Sequence, residues 1–280
     1  MKKLSKRIIT LFLVWVTTSS LVFIVACGGR APSTLLRQGQ APFLDFPLYV
    51  TGGPGKVWKF DKDGVRTTLL DNLNDPKGIA TDRYNNLYVV EQGLGRVLKV
   101  DTVTGAYTVV ISGLLNPSVV AVDSVDEVYV TQEGANNIIR IKDGSVKSTY
   151  ASRPSALCFG VNDIMLVGLF DDNKVWWGSS ESTTLNQPVN IGTDSTGRVY
   201  VAEGLSSGAK IYRFHQKEPT GSTVVADNLS GVSGFVVDPV GNMYISEAGA
   251  SRILLSTQSG NLLVWASGVT APEYMTFTKY

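Results

Sequence analysis

One phrase recurs along this chain and restricts what it can fold into. From Pro76 the sequence reads PKGIATDRYNNLYVVEQGLGRVLKV: a short apolar run closed by Asp82, a turn, a β-branched and aromatic run ending at Glu91, a glycine turn, then an alternating run. Related phrases start at Pro117 (PSVVAVDSVDEVYVTQEGANNIIRI), Pro188 (PVNIGTDSTGRVYVAEGLSSGAKIYRF) and Val232 (VSGFVVDPVGNMYISEAGASRILLS), and a degraded copy starts at Pro154. The starts are 41, 37, 34 and 44 residues apart. Fourth strands follow as YTVVIS, VKSTYA, STVVAD and LLVWAS, but the third copy has only SSESTTL there. An all-strand repeat near forty residues, four short strands per unit, predicts the blades of a β-propeller.

The two ends of the chain complete the count. Residues 47–71 (PLYVTG, KVWKFD, RTTLLD) match the second, third and fourth strands of the repeat and lack a first. The segment PEYMTFT at 272–278 has the proline and apolar run of a first strand, after which the sequence stops. Joining them gives a sixth blade. The expectation is an all-β chain, a six-bladed propeller of four-stranded blades whose closing blade draws on both termini.

The first residues do not belong to that repeat. MKKLSKR holds four basic residues and no acidic one, nineteen mostly apolar residues follow, and the stretch ends Ile24-Val25-Ala26-Cys27-Gly28. A basic region, an apolar region and a small residue before the cut predict a secretory signal over 1–26. The last residues resemble a bacterial lipobox, which implies lipidation of Cys27; an uncleaved membrane anchor is the alternative. Residues 27–44 are polar and rich in Gly, Pro and Gln, a tether, and 45–280 form the propeller. The expected location is the cell envelope, on a membrane and outside the cytoplasm. Gly28 after Cys27 favours an outer membrane in a Gram-negative organism. Without residues 1–26, 21 basic residues face 24 acidic ones, a net −3. That balance argues against nucleic acid as a partner. With Cys27 acylated, Cys158 has no disulfide partner and reads as a buried thiol.

The pattern of proline, apolar strand, Asp, turn and LYV-x-E resembles NHL-repeat propellers. It is similar to the wider superfamily that holds the regucalcin/gluconolactonase family, the strictosidine-synthase-like proteins and the virginiamycin-lyase type. The resemblance covers about residues 45–280 and implies the fold; these families differ in their sites.

Four residues close the first strand of their blades, Asp82, Asp123, Asp194 and Asp238, each opening a turn. A carboxylate there is expected to take backbone N–H groups two residues on and hold the hairpin. Glu91, Glu203 and Glu247, with Gln132 at the equivalent place, close the second strands. In propellers of this kind that end lies on the same face as the start of strand one, so these side chains either converge at the channel mouth or bond the loop that follows them. Asn190 stands where other blades carry Gly78, Val119, Ala156, Gly234 and Tyr274, and with Tyr274 it is a candidate channel-lining residue.

In the regucalcin/gluconolactonase family a divalent cation sits at the channel. The resemblance implies one here, calcium, magnesium or zinc, on Asn190, Glu203 and Glu247, polarising a lactone or ester carbonyl. The sequence does not reproduce that family's ligand set, and it requires no cofactor of its own. His215, the only histidine, follows a third strand and reads as a surface residue. Basic residues on third strands, among them Arg96, Arg213 and Arg252, are expected to pack their stems between blades with their heads in water. The functional expectation is a monomeric, non-enzymatic envelope scaffold that binds a protein or small ligand. The alternative is a metal-dependent lactonase or esterase.

Overall fold

The computed structural model describes residues 44, 46–150, 152–178, 180–181, 185–214 and 221–278. The expected signal, Cys27, nearly all of the tether and His215 lie outside them. No helix among the described residues is long and apolar enough to cross a membrane.

The strands run in six four-stranded antiparallel sheets. β1 (Leu48–Gly52), β2 (Lys56–Phe60) and β3 (Arg66–Leu70) come first. Five complete blades follow. The first holds β4 (Pro76–Thr81), β5 (Leu87–Glu91), β6 (Arg96–Val100) and β7 (Tyr107–Ser112). The second holds β8 (Pro117–Val122), β9 (Val128–Gln132), β10 (Asn137–Arg140) and β11 (Val146–Thr149). The third holds β12 (Pro154–Phe159), β13 (Met165–Leu169), β14 (Lys174–Trp177) and the two-residue β15 (Ser180–Glu181). The fourth holds β16 (Pro188–Thr193), β17 (Val199–Glu203), β18 (Ala209–Phe214) and β19 (Thr223–Leu229). The fifth holds β20 (Val232–Val237), β21 (Met243–Glu247), β22 (Arg252–Ser256) and β23 (Leu262–Ser267). β24 (Pro272–Phe277) then pairs with β1, Val50 opposite Met275, and supplies the inner strand of the closing blade.

Burial grades outward, as a ring of stacked sheets requires. The second strands, between neighbouring blades, are buried at every position in the first, second, fourth, fifth and closing blades. The fourth strands begin with exposed residues. The buried apolar residues fall into six clusters, one at each junction between adjacent blades. At the junction of the fifth and closing blades Trp265 packs on Phe60 and Tyr244, with ring centroids 4.9 and 5.1 Å apart. Trp58 and Trp177 also sit in these junctions, as their places in the repeat imply.

Each blade turns twice on one face of the ring and once on the other. We call the face where inner strands end the hairpin face, and the face where blade-to-blade linkers arrive the linker face. On the hairpin face the four aspartates do what the repeat predicts. Asp82 Oδ1 accepts the N–H groups of Tyr84 and Asn86, both at 2.9 Å. Asp123 and Asp194 take the equivalent N–H groups of Val125, Glu127, Thr196 and Arg198. Three residues after each aspartate the backbone is left-handed, and Asn85, Asp126, Gly197 and Gly241 occupy that place, residue types that tolerate it. The third blade has Gly160 instead of the aspartate; its turn closes through Gly160 N–H to Ile164 O at 2.9 Å, and Asp163 within it bonds Ser124 of the second blade.

Candidate functional site

The linker face was expected to gather the carboxylates that end second strands. Register does bring each beside the start of its inner strand: Glu91 opposite Pro76, Gln132 opposite Pro117, Glu203 opposite Pro188, Glu247 opposite Val232. Their side chains, however, turn into their own blades and are at most 5% exposed. Each accepts a backbone N–H from the linker 17 residues earlier. Glu91 takes Asn74 N–H at 2.8 Å, Gln132 takes Leu115 at 2.7 Å, Glu203 takes Asn186 at 3.1 Å and Glu247 takes Ser230 at 2.7 Å. The second oxygen goes to the third strand. Arg96 Nε meets Glu91 at 2.6 Å and Arg252 Nε meets Glu247 at 2.5 Å, while Gln132 donates to Asn137 Oδ1 at 2.8 Å. The Tyr212 phenol bonds Glu203, and burial, then that carboxylate, holds the phenol above its usual range.

These residues clamp the linker to the blade it enters. The heads of Arg96 and Arg252 are therefore used in the clamps rather than left to water. A divalent cation needs several oxygens converging with free lone pairs. Glu203 and Glu247 spend theirs within separate blades, so with Asn190 they do not fit such an ion as placed. Among the described residues no group of three His, Cys, Asp or Glu side chains is arranged to hold a metal.

Asn190 and Tyr274 differ from those four: both face the central channel. Tyr274 lies on β24, and its phenol lies near the side chain of Ser118 in the second blade. Its ring packs against the cluster between the closing and first blades and against the cluster between the second and third. It therefore crosses the first blade, where Gly78 leaves no side chain in the way. A Cβ on Gly78 would stand 2.6 Å from Ser118 O, so the inner strands are at closest approach here. Burial pushes the Tyr274 phenol above its ordinary value. Asn190 Oδ1 accepts Phe235 N–H at 3.4 Å, linking the fourth and fifth blades at the same depth.

Above that level a central well of about 270 Å³ opens. Its lining starts at Asn190 and Tyr274, runs to the strand ends at Thr81, Val122 and Phe159, and includes neither of the first two residues of any inner strand. The well thus opens toward the hairpin face, opposite the face expected from the carboxylates. Among the described residues nothing charged lines it; its polar groups are Thr81, Cys158, Asn190, Thr193, Tyr274 and Thr276. Burial pushes the Cys158 thiol up, which keeps it protonated and a poor nucleophile.

A second recess of about 320 Å³ shares Thr81, Thr193, Val236, Val237 and Thr276 with the well and adds Asp194 and Asp238. Burial opposes the charge of Asp194, yet bonds from Thr196, Arg198 and Tyr200 hold its carboxyl below the usual range. Burial dominates at Asp238, whose bonds come from Asn242 and from backbone N–H groups, and its carboxyl is raised. Phe159, Phe235 and Tyr274 line the well as their places on inner strands imply, and Asn190 joins them. The sequence missed the face on which the well opens and the recess beside it, whose lining is ordinary strand residues.

No family model matches the sequence, and no curated protein matches it. Solved structures do match its fold. A chain of a nidogen–laminin complex superposes with a TM-score of 0.72 at 12% identity, over 83% of this chain and 98% of that one. A gluconolactonase from Xanthomonas campestris gives 0.66 at 16% identity, over 86% and 91%. A streptogramin B lyase gives 0.62 at 14% identity, over 85% and 93%. At such identities the likeness establishes architecture and leaves each partner's chemistry with that partner: this chain is a six-bladed β-propeller, the fold that these structures share.

Proposed function

We propose that the protein is a lipid-anchored, extracytoplasmic binding scaffold that holds a small molecule or a protein segment at its central well, with Asn190 and Tyr274 as the innermost contacts. One observation carries this reading. The carboxylates that were candidates for chemistry are engaged in clamps, while an uncharged well stands at the axis. Small-molecule sites are concave, mostly apolar and fitted with a few polar groups, and the well has that composition. The fold likeness to a chain of a nidogen–laminin complex supports a protein partner. The anchor is Cys27, the location the cell envelope, and an outer membrane in a Gram-negative organism. The chain acts as a monomer.

The likeness to a gluconolactonase favours one other reading, a divalent-metal lactonase or esterase. It requires Glu203 and Glu247 to leave their linker N–H groups on binding calcium, magnesium or zinc. The test combines localisation and turnover. The full chain should sediment with membranes and Cys27→Ala should release it. Gluconolactone and a simple aryl ester should hydrolyse at the buffer rate with each of the three metals. Metal-dependent hydrolysis that is lost in a Glu203→Gln, Glu247→Gln double variant would replace the scaffold reading with the lactonase.

A further inference from the structure

The outer half of the junction between the fourth and fifth blades holds a groove of about 430 Å³ on the hairpin face. Among the described residues its charged lining is Arg198 and Arg213, with no carboxylate. Arg213 lies across the fourth blade between Tyr200 and Thr223 in register, so the three side chains share one sheet face. That face is turned to the fifth blade, since Tyr200 packs in the cluster between the two. Arg198 meets Asp194 through Nε at 2.6 Å, and that bond does not use its terminal amino groups. The Tyr200 phenol gives its proton to the same carboxylate at 3.0 Å. Asp194 thus offsets Arg198 from behind the groove, and Arg213 supplies its net positive charge.

Hydroxyls complete the lining. Thr257 and Ser259 bond one another at 2.8 Å in the turn of the fifth blade, and Thr223 and Ser256 stand on the facing strands. A guanidinium pair with hydroxyl donors suits an oxyanion, because charge-assisted bonds to carboxylate or phosphate are the strongest that such donors make.

We propose that this groove binds the phosphate of a small hydroxylated ligand, a glycerol phosphate free in solution or as a lipid headgroup. Arg213 provides the main charge and Arg198 a second donor set. The site is independent of the central well: a ligand could occupy either alone.

The test uses the full-length protein in detergent, with glycerol 3-phosphate as probe and glycerol as the uncharged control, by titration calorimetry. Glycerol 3-phosphate should bind at least about tenfold tighter than glycerol and weaken as salt is raised. Arg213→Met keeps the stem and removes the charge, and should lower phosphate affinity about tenfold or more with an unchanged thermal midpoint. Arg213→Lys should recover part of it. Sedimentation with phosphatidylglycerol vesicles against phosphatidylcholine vesicles, using the Cys27→Ala form, separates the sources. Selective binding lost in Arg213→Met assigns the headgroup; binding of the free phosphate alone assigns a soluble ligand. Equal affinity for glycerol and its phosphate, or an Arg213→Met variant that binds as the parent does, would overturn the proposal and leave the reading of the central well untouched.

Discussion

A carboxylate that closes a strand beside a channel invites a catalytic reading, and bonding decides against it here. Glu247 is fully buried, with Ser230 N–H on one oxygen and Arg252 Nε on the other. Removing it leaves a linker N–H and a guanidinium without their acceptor. Glu247→Ala should therefore cost about 3 kcal/mol in urea unfolding, while Glu247→Gln, which can still accept from Ser230, should cost less. The sequence offered convergence at the mouth or a bond to the following loop, and the bond found runs to the preceding linker instead, since a repeat shows where a glutamate recurs but not which way it turns. The aspartates were decidable, because a hairpin of Asp, two residues and an Asn or Gly fixes its own bonding locally. Tyr274 and Asn190 were legible only as exceptions to a repeat. That their level closes the channel toward the linker face depends on six inner strands meeting, which no single blade encodes.

At the scale of the element, the repeat predicted the strands closely, because each is bounded by turn residues with a physical reason to be there. The third blade departs from the pattern. Gly160 replaces the hairpin aspartate, Leu169 stands in the place of the linker clamp, and the fourth strand comprises Ser180–Glu181 among the described residues. Its linker keeps the backbone bond that the other repeat blades make at this place, Phe170 N–H to Arg153 O at 3.0 Å, and adds the exposed ion pair of Arg153 with Asp171. Fewer bonds oppose local opening there, and solvent screens that pair. Hydrogen exchange should accordingly find the amides of β14 and β15 less protected than those of β6 and β7. Equal protection would mean that the junction clusters on either side, including Trp177 on Phe214, carry the blade without its clamps.

Across the whole molecule, stability is cyclic. Each blade buries its apolar face against the next, so one missing strand opens two junctions. β24 is held to β1 by its ladder and by Thr51, whose hydroxyl accepts Tyr274 N–H at 3.1 Å and donates to Tyr274 O at 3.3 Å. Met275 is buried in the cluster of the fifth and closing blades. Ending the chain before Pro272 should abolish cooperative unfolding and expose β1 as a pairing edge, seen as aggregation by light scattering. A truncated protein that stays monomeric and unfolds cooperatively would show that the ring tolerates a gap.

That closure also sets a clock. β1 ends at Gly52 and its partner begins at Pro272, 220 residues later. At a synthesis rate of roughly 5–20 residues per second, β1 waits on the order of ten to forty seconds for its neighbour. During that interval five blades can form, but the ring cannot lock. β24 is the strand that turns a row of blades into a closed body. Until it arrives, β1 keeps an unpaired edge open to any other strand that reaches it.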